Sequence, residues 1–484
     1  MNRQDLYESM EHIDDDILAR SERGKKRRSR WWLGGVAAVL AAALIGGLLL
    51  QPGGGPLSAN AYAVAEAVYP SMAPYPNEMD YADLLTGEFD SDGFSDAYDA
   101  WRDSVRGQEQ EEGYADGLTP FFTASIRQFL AGEAGKNRAC SPLNIYTALG
   151  MLAELTDGES QQQILDLLGA ESMEALRAQA RAVWNGQYRN DGATTSILAS
   201  SLWLSQDVSF VPQTLETLAQ TYYASSYRGE MGSEEFNQAF RDWLNDQTGG
   251  LLADQIGELS LEPETVLALA ATLYYQAKWS SEFSQSETAP QTFHAVDGDM
   301  TCDFMHSGSS GAYYWGDRFC AVGRALENGG GTMWFLLPDE GVAVEELLDD
   351  PQAMAFLLSN GDWENRKDLM VNLSLPKFDI SSQADLAEGL QAMGVTDVFD
   401  PAASDFSPMT TDMEGIYVSQ VKHGVRVAVD EEGVTAAAYT VMAMSGSAAP
   451  PEDEVDVVLD RPFLFALTSP DGLPLFTGVV HRPG

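Results

Sequence analysis

Hydrophobic positions change their period several times along the 484-residue chain. Residues 31–50 (WWLGGVAAVLAAALIGGLLL) are twenty uncharged, mostly apolar positions. As a helix they would span about 30 Å, the thickness of a bilayer core. Residues 51–113 begin with Pro52-Gly53-Gly54-Gly55-Pro56 and continue with isolated aromatics in an acidic background, without a sustained apolar period. Apolar residues recur at helical spacing over 118–182 and 212–256, and alternating or apolar β-type runs dominate after 330. The order predicts four parts: a tail (1–30), a transmembrane helix (31–50), a stalk (51–113) with a short helix near Ala97–Arg106, and one α+β domain (114–484). In that domain a helical N-terminal portion precedes large, mostly antiparallel sheets. Its length of about 370 residues exceeds the usual single core, yet no linker or repeat divides it.

Charge orients the first two parts. Lys25-Lys26-Arg27-Arg28-Ser29-Arg30 precedes the apolar run, and Trp31 and Trp32 sit at its edge. The positive-inside rule then puts the N-terminus in the cytoplasm and the large domain outside, in a single-pass cell-membrane protein. The rival reading is a cleaved signal peptide with Ser58-Ala59-Asn60-Ala61 as its site. As a flexible coil the stalk would reach about 45 Å. The alternative is a packed N-terminal extension of the domain, suggested by Tyr62, Tyr69, Tyr75 and Tyr81.

Formal net charge is −45, and residues 1–30 hold eight Lys/Arg against seven Asp/Glu, so nearly all of the negative charge follows the apolar run. Such a field argues against nucleic acid or anionic lipid as a partner. Three cysteines (Cys140, Cys302, Cys320) are too few for a disulfide scaffold. A Cys302–Cys320 bridge and free buried thiols are both open. Cys302 and His306 lack a second ligand pair, so no metal site and no cofactor is expected. The sequence carries no phosphate loop, no His-Glu-x-x-His element and no Gly-x-Ser-x-Gly elbow, so enzyme chemistry is not expected.

The most informative segment is Glu431-Glu432-Gly433-Val434-Thr435-Ala436-Ala437-Ala438-Tyr439-Thr440. In a strand, Val434, Ala436, Ala438 and Thr440 share one face, and Thr435, Ala437, Tyr439 and Val441 the other. The first set is small enough to enter between two existing strands without overpacking the core beneath. Gly433 would give such a segment the backbone freedom of a pivot. On these residues alone, a flexible Ala-rich surface loop is an equal reading.

Matches over residues 114–484 break the tie. They are Asn137-Arg138-Ala139-Cys140-Ser141-Pro142-Leu143 with the helix to Asp157-Gly158-Glu159-Ser160, then Leu273-Tyr274-Tyr275-Gln276-Ala277-Lys278-Trp279 with Phe283. Leu375-Pro376-Lys377-Phe378, Ile416-Tyr417-Val418-Ser419-Gln420-Val421-Lys422-His423, Arg461-Pro462-Phe463-Leu464-Phe465 and Leu475-Phe476-Thr477-Gly478-Val479-Val480 complete them. In order and spacing these blocks resemble the serpins, protease inhibitors that trap their target by a conformational change. The resemblance implies that Ser141 and His423 join a buried polar cluster. The family's partner asparagine corresponds to Ala271, and Asn144 would supply the lost amide from the helix side. It also implies a Lys377–Glu431 pair where the hinge enters the sheet.

What the resemblance implies of function is a serine protease inhibitor acting as a suicide substrate, monomeric and covalently bound to its target. Fifteen residues from Gly433 end at Ser447, giving Ser447–Ala448 as the scissile bond with Thr440 eight residues before it. Counting back from Pro462 points nearer Pro451, and Met444 is the next choice. Small residues before the cut suit an elastase- or chymotrypsin-like enzyme, and no Arg or Lys lies between Glu431 and Asp460. The alternative is a non-inhibitory serpin serving as a cell-surface binding protein, since Val434 stands where the family usually has threonine.

Overall fold

Two long strands, β4 (Thr194–Ser205) and β6 (Leu267–Lys278), pair antiparallel over most of their length and form the spine of an eight-stranded sheet. From one edge its order is β1 (Ala63–Ala65), β5 (Ala224–Gly229), β4, β6, β14 (Gly433–Val434), β13 (Lys422–Val429) and β12 (Phe378–Asp385), with β3 (Arg189–Asn190) beside β4. A nine-stranded sheet follows the order β15 (Glu454–Val458), β11 (Arg366–Pro376), β8 (Gly298–Trp315), β9 (Phe319–Ala325), β10 (Thr332–Pro338), β16 (Phe463–Thr468), β17 (Pro474–Val480) and β2 (Arg138–Cys140), with β7 (Ala289–Ala295) on β8. The ladders among the described residues are antiparallel except β4–β5 and β11–β15. This computed structural model describes residues 59–83, 88–257, 259–434 and 453–483.

Helices α1 (Ser91–Arg106), α2 (Thr119–Leu130), α3 (Pro142–Leu155), α4 (Gly158–Leu168), α5 (Met173–Gln187), α6 (Pro212–Thr221), α7 (Glu234–Gln247) and α8 (Ala253–Ile256) come before β6. Helices α2–α8 begin within the two stretches where helical periodicity dominates, and α1 takes in the short helix expected near Ala97–Arg106. Three short helices, α9 (Val344–Leu348), α10 (Pro351–Leu357) and α11 (Ala387–Ala392), follow. Helix α3 is apolar on nearly every side and almost wholly buried, as a helix sandwiched between sheets must be. Ser141 caps it, its Oγ accepting from Asn144 N–H at 3.2 Å, and Pro142 occupies the first turn. The main core fills the space between this helix layer and the inner faces of the sheets.

Two expectations about the N-terminal parts are corrected. The tail and the apolar run 31–50 lie outside the described residues. No helix among the described residues is long and apolar enough to cross a membrane, so the single-pass membrane location and the preceding transmembrane helix are set aside. The described residues after Ala59 do not form a free stalk. Strand β1 pairs with β5, Tyr69 packs against Trp184 and Tyr188, and Trp101 in α1 is buried. Isolated aromatics show no local period because they pack on partners outside their own turn or strand: Tyr81 on Phe94, Tyr75 on Trp101, and Tyr62 and Tyr69 on Phe236 and Trp184 more than 100 residues away. All three cysteines are free, and burial pushes the Cys140 thiol up to about 12 and Cys302 to about 11. His306 spends both ring nitrogens on Gln291 and Ser374, each at 3.0 Å.

Candidate functional site

Strand β13 turns His423, Val425, Val427 and Val429 inward. At its end Asp430 reverses the chain: its Oδ1 accepts from the N–H groups of Glu432 (2.9 Å) and Gly433 (3.1 Å). The chain then enters the sheet. Gly433 lies opposite Lys278, and Val434 opposite Ala277 on one side and Val429 on the other, antiparallel to both neighbours. Val434 is 3% exposed and belongs to the main core. Gly433 is therefore not a pivot outside the sheet. Its backbone is not among those in the left-handed region, but a Cβ there would lie 2.4 Å from the Ala277 carbonyl oxygen. Close approach to β6 is what requires glycine.

The turn is fastened from several sides. The backbone N–H of Trp279 donates to Glu432 O (3.0 Å), that of Phe283 to Glu431 O (2.9 Å), and the Trp279 indole to Asp430 O (2.9 Å). Glu431 is held between Lys377 Nζ (2.7 Å) and the Thr288 hydroxyl (2.8 Å). Burial opposes ionisation of Glu431, but these hydrogen bonds and the Lys377 charge win, and its carboxyl stays below the usual carboxylate range. Bonding to Glu431 raises Lys377 in turn.

Below Val434 the two flanking strands part. No ladder among the described residues joins β6 directly to β13, and a cavity of ≈ 30 Å³ lies between them. That is room for water, not for a strand. Ser141 and Asn144 lie behind it, Leu273, Tyr275, Val425 and Val427 beside it, and Thr248, Leu251 and Leu252 in front. Arg426 donates to Leu251 O (3.1 Å), Gln383 to Gln255 O (3.2 Å) and Gln255 to the Ser381 hydroxyl. These bonds tie the segment after α7 to β12 and β13 across the front of the slot. This clasp is not legible in the sequence, because its partners are an arginine, two glutamines, a serine and backbone carbonyls in no fixed spacing.

The structure brings Ser141, Asn144 and His423 together at the back. Ser141 N–H donates to His423 Nε2 (3.1 Å), and the Ser141 hydroxyl donates to Leu475 O (2.6 Å). Nε2 is thus the acceptor of a neutral imidazole, and burial drives its pKa down to about 4. Asn144 Nδ2 donates to the Ala271 carbonyl (3.1 Å), so a helix amide reaches the strand where a side-chain amide is missing. Thr435, Ala436, Ala437, Ala438, Thr440, Ser447 and Ala448 lie outside the described residues.

Among the described residues the central strand position between β6 and β13 holds Gly433 and Val434, headed by a clamped turn. The family described as serpin (serine protease inhibitor) matches residues 118–483. The chain belongs to the serpin family. Plasminogen activator inhibitor 1 of Sus scrofa is 29% identical over 392 residues, covering 75% of this chain and 91% of that protein. Putative serpin-Z12 of Oryza sativa subsp. japonica is 29% identical over 381 residues, covering 73% and 86%. The solved native state of the thermophilic serpin tengpin superposes with a TM-score of 0.68 at 24% identity, covering 77% of this chain and 95% of that one. Arabidopsis AtSerpin1 in its native stressed conformation gives 0.66 at 25% identity, covering 76% and 98%.

Proposed function

We propose that the protein inhibits serine proteases as a suicide substrate whose cleaved loop enters the sheet between β6 and β13. The observation that carries this reading is β14, which already occupies the top of that position and points the chain down it. Continuing its register would place Ala436 between Tyr275 and Val427, and Ala438 between Leu273 and Val425. Thr440 would fall between Ala271 and His423, and Met444 opposite Leu267, where β6 begins. The inward positions of the incoming strand are then small and their neighbours on β13 already face the core, so insertion extends existing ladders.

The chemistry belongs to the protease. Its serine hydroxyl would attack the Ser447 carbonyl carbon, and the hydroxyl proton would pass through the protease histidine to the departing Ala448 amine. The remaining acyl ester joins the two proteins, and insertion carries the protease away before water can complete hydrolysis. Small residues around Ser447, with no Arg or Lys from Glu431 to Asp460, suit elastase- or chymotrypsin-like enzymes. The partner is one protease per monomer, with no cofactor.

Incubation with a panel of serine proteases tests this. The expected outcome is an SDS-stable complex with an elastase- or chymotrypsin-like member and a released fragment beginning at Ala448. Ser447→Arg should move the preference to a trypsin-like enzyme. Loop cleavage without any stable complex would reject inhibition by insertion, while a fragment beginning elsewhere would move only the scissile bond.

A further inference from the structure

The family match begins at residue 118, yet the described residues from Ala59 to Gly117 are built onto the outer edge of the sheet that holds the slot. We propose that this segment is a clamp that slows opening of the sheet. The proposal rests on the insertion reading above. A new strand needs a gap of about 4.8 Å between β6 and β13. Ladders bind β6 to β4, β4 to β5 and β5 to β1, so those strands move as one body, outward toward the edge that the segment covers.

The segment holds that edge along its length. Ala63 pairs with Tyr227 and Ala65 with Ser226, and Ala67 N–H donates to the Ser225 hydroxyl at 3.0 Å. Farther on, Tyr75 N–H donates to Asp191 O (2.7 Å) and the Trp101 indole to Asp191 Oδ2 (2.8 Å), beside the start of β4.

The same segment is also fastened to groups outside the sheet. The Tyr62 ring meets Phe236 of α7 edge-on at 4.9 Å, and Tyr69 packs on Trp184 of α5 at 5.3 Å. The Tyr114 hydroxyl donates to Asp471 Oδ2 (2.9 Å) in the turn between β16 and β17, and accepts from Gln187 of α5 at 2.9 Å. One chain segment thus joins the strands that must slide to a helix on each side and to the second sheet. Sliding requires these contacts to break or follow. They need not break in the unopened state, so the clamp acts on the rate of insertion.

The test uses the full chain with Tyr69→Ala and, as a change that keeps the ring and the fold, Tyr114→Phe. Each protein is incubated uncut, and samples are taken for the fraction that survives a heat step unfolding the fresh parent. A central strand bonded on both sides makes the inserted form heat-resistant. Tyr69→Ala should convert about tenfold faster than the parent and Tyr114→Phe about threefold faster, each rate reporting a lowered barrier. Conversion of both variants at or below the parental rate, while the loop-cleaved parent is heat-resistant, overturns the clamp alone. A loop-cleaved parent that gains no heat resistance overturns the insertion reading and the clamp with it.

Discussion

The upper end and the middle of the slot are held by opposite kinds of chemistry. At the top, backbone bonds from Trp279 and Phe283, a carboxylate-binding turn and the Lys377–Glu431 pair fasten two residues of a strand that has already entered. In the middle no strand among the described residues lies between β6 and β13, and neutral groups from helix α3 bond to His423 and Ala271 across the back of the cavity. The ionic pair sits where water can reach it; the imidazole sits where a charge would be costly. The difference teaches that, on the proposed insertion mechanism, the start of insertion would be settled in advance, whereas its progress would depend on small inward side chains and an uncharged shutter.

The largest expected effect comes from charging the inward face beyond Val434. Ala436→Arg should abolish stable complex formation while the loop is still cut, because an unpaired guanidinium would be buried between Tyr275 and Val427. Thr435→Arg, on the outward face, should keep most inhibition. Equal inhibition by parent and Ala436→Arg in a complex-formation assay would break the distinction between a committed top and a permissive middle.

Next is the shutter. His423 titrates near 4 in the folded protein against 6.5 in the unfolded chain. Its neutral form contributes in full above about pH 6.5. As pH falls the unfolded chain takes up a proton that the folded one refuses, so stability declines until about pH 4, by about 3 kcal/mol. In His423→Gln, whose amide oxygen can still accept from Ser141 N–H, that part of the decline should vanish from denaturation curves measured across the range. Asn144→Ala leaves the Ala271 carbonyl without its amide and should cost about 1–2 kcal/mol.

The smallest effect is expected at the top. Glu431→Gln should change the unfolding free energy by less than about 1 kcal/mol, since Lys377 is 39% exposed and the pair is screened. A loss several times larger would mean that the ionic pair, rather than the backbone bonds, fastens the turn.

Several features were legible without coordinates. The helical and β-type stretches mark where helices and sheets occur, because amphipathic period is a local property. Small residues alternating from Val434 show what an incoming strand would present, and the order of the blocks around Ser141, Lys377 and His423 marks the family. The sequence also suggested that Asn144 could supply the amide missing at Ala271, and the two do meet. Other features rest on distant pairs with no shared spacing: Arg426 with Leu251, Trp101 with Asp191, and Tyr114 with Asp471.

By itself, then, the chain determined its family and which face of the segment after Gly433 is small enough to be buried, since each is written in neighbouring residues. Only the tertiary structure decided that Gly433 and Val434 are already in the sheet, since backbone from β6 must lie 2.4 Å from where a Cβ at Gly433 would stand. It alone decided that the segment after Ala59 is packed, because burying isolated aromatics depends on partners that only folding brings into reach.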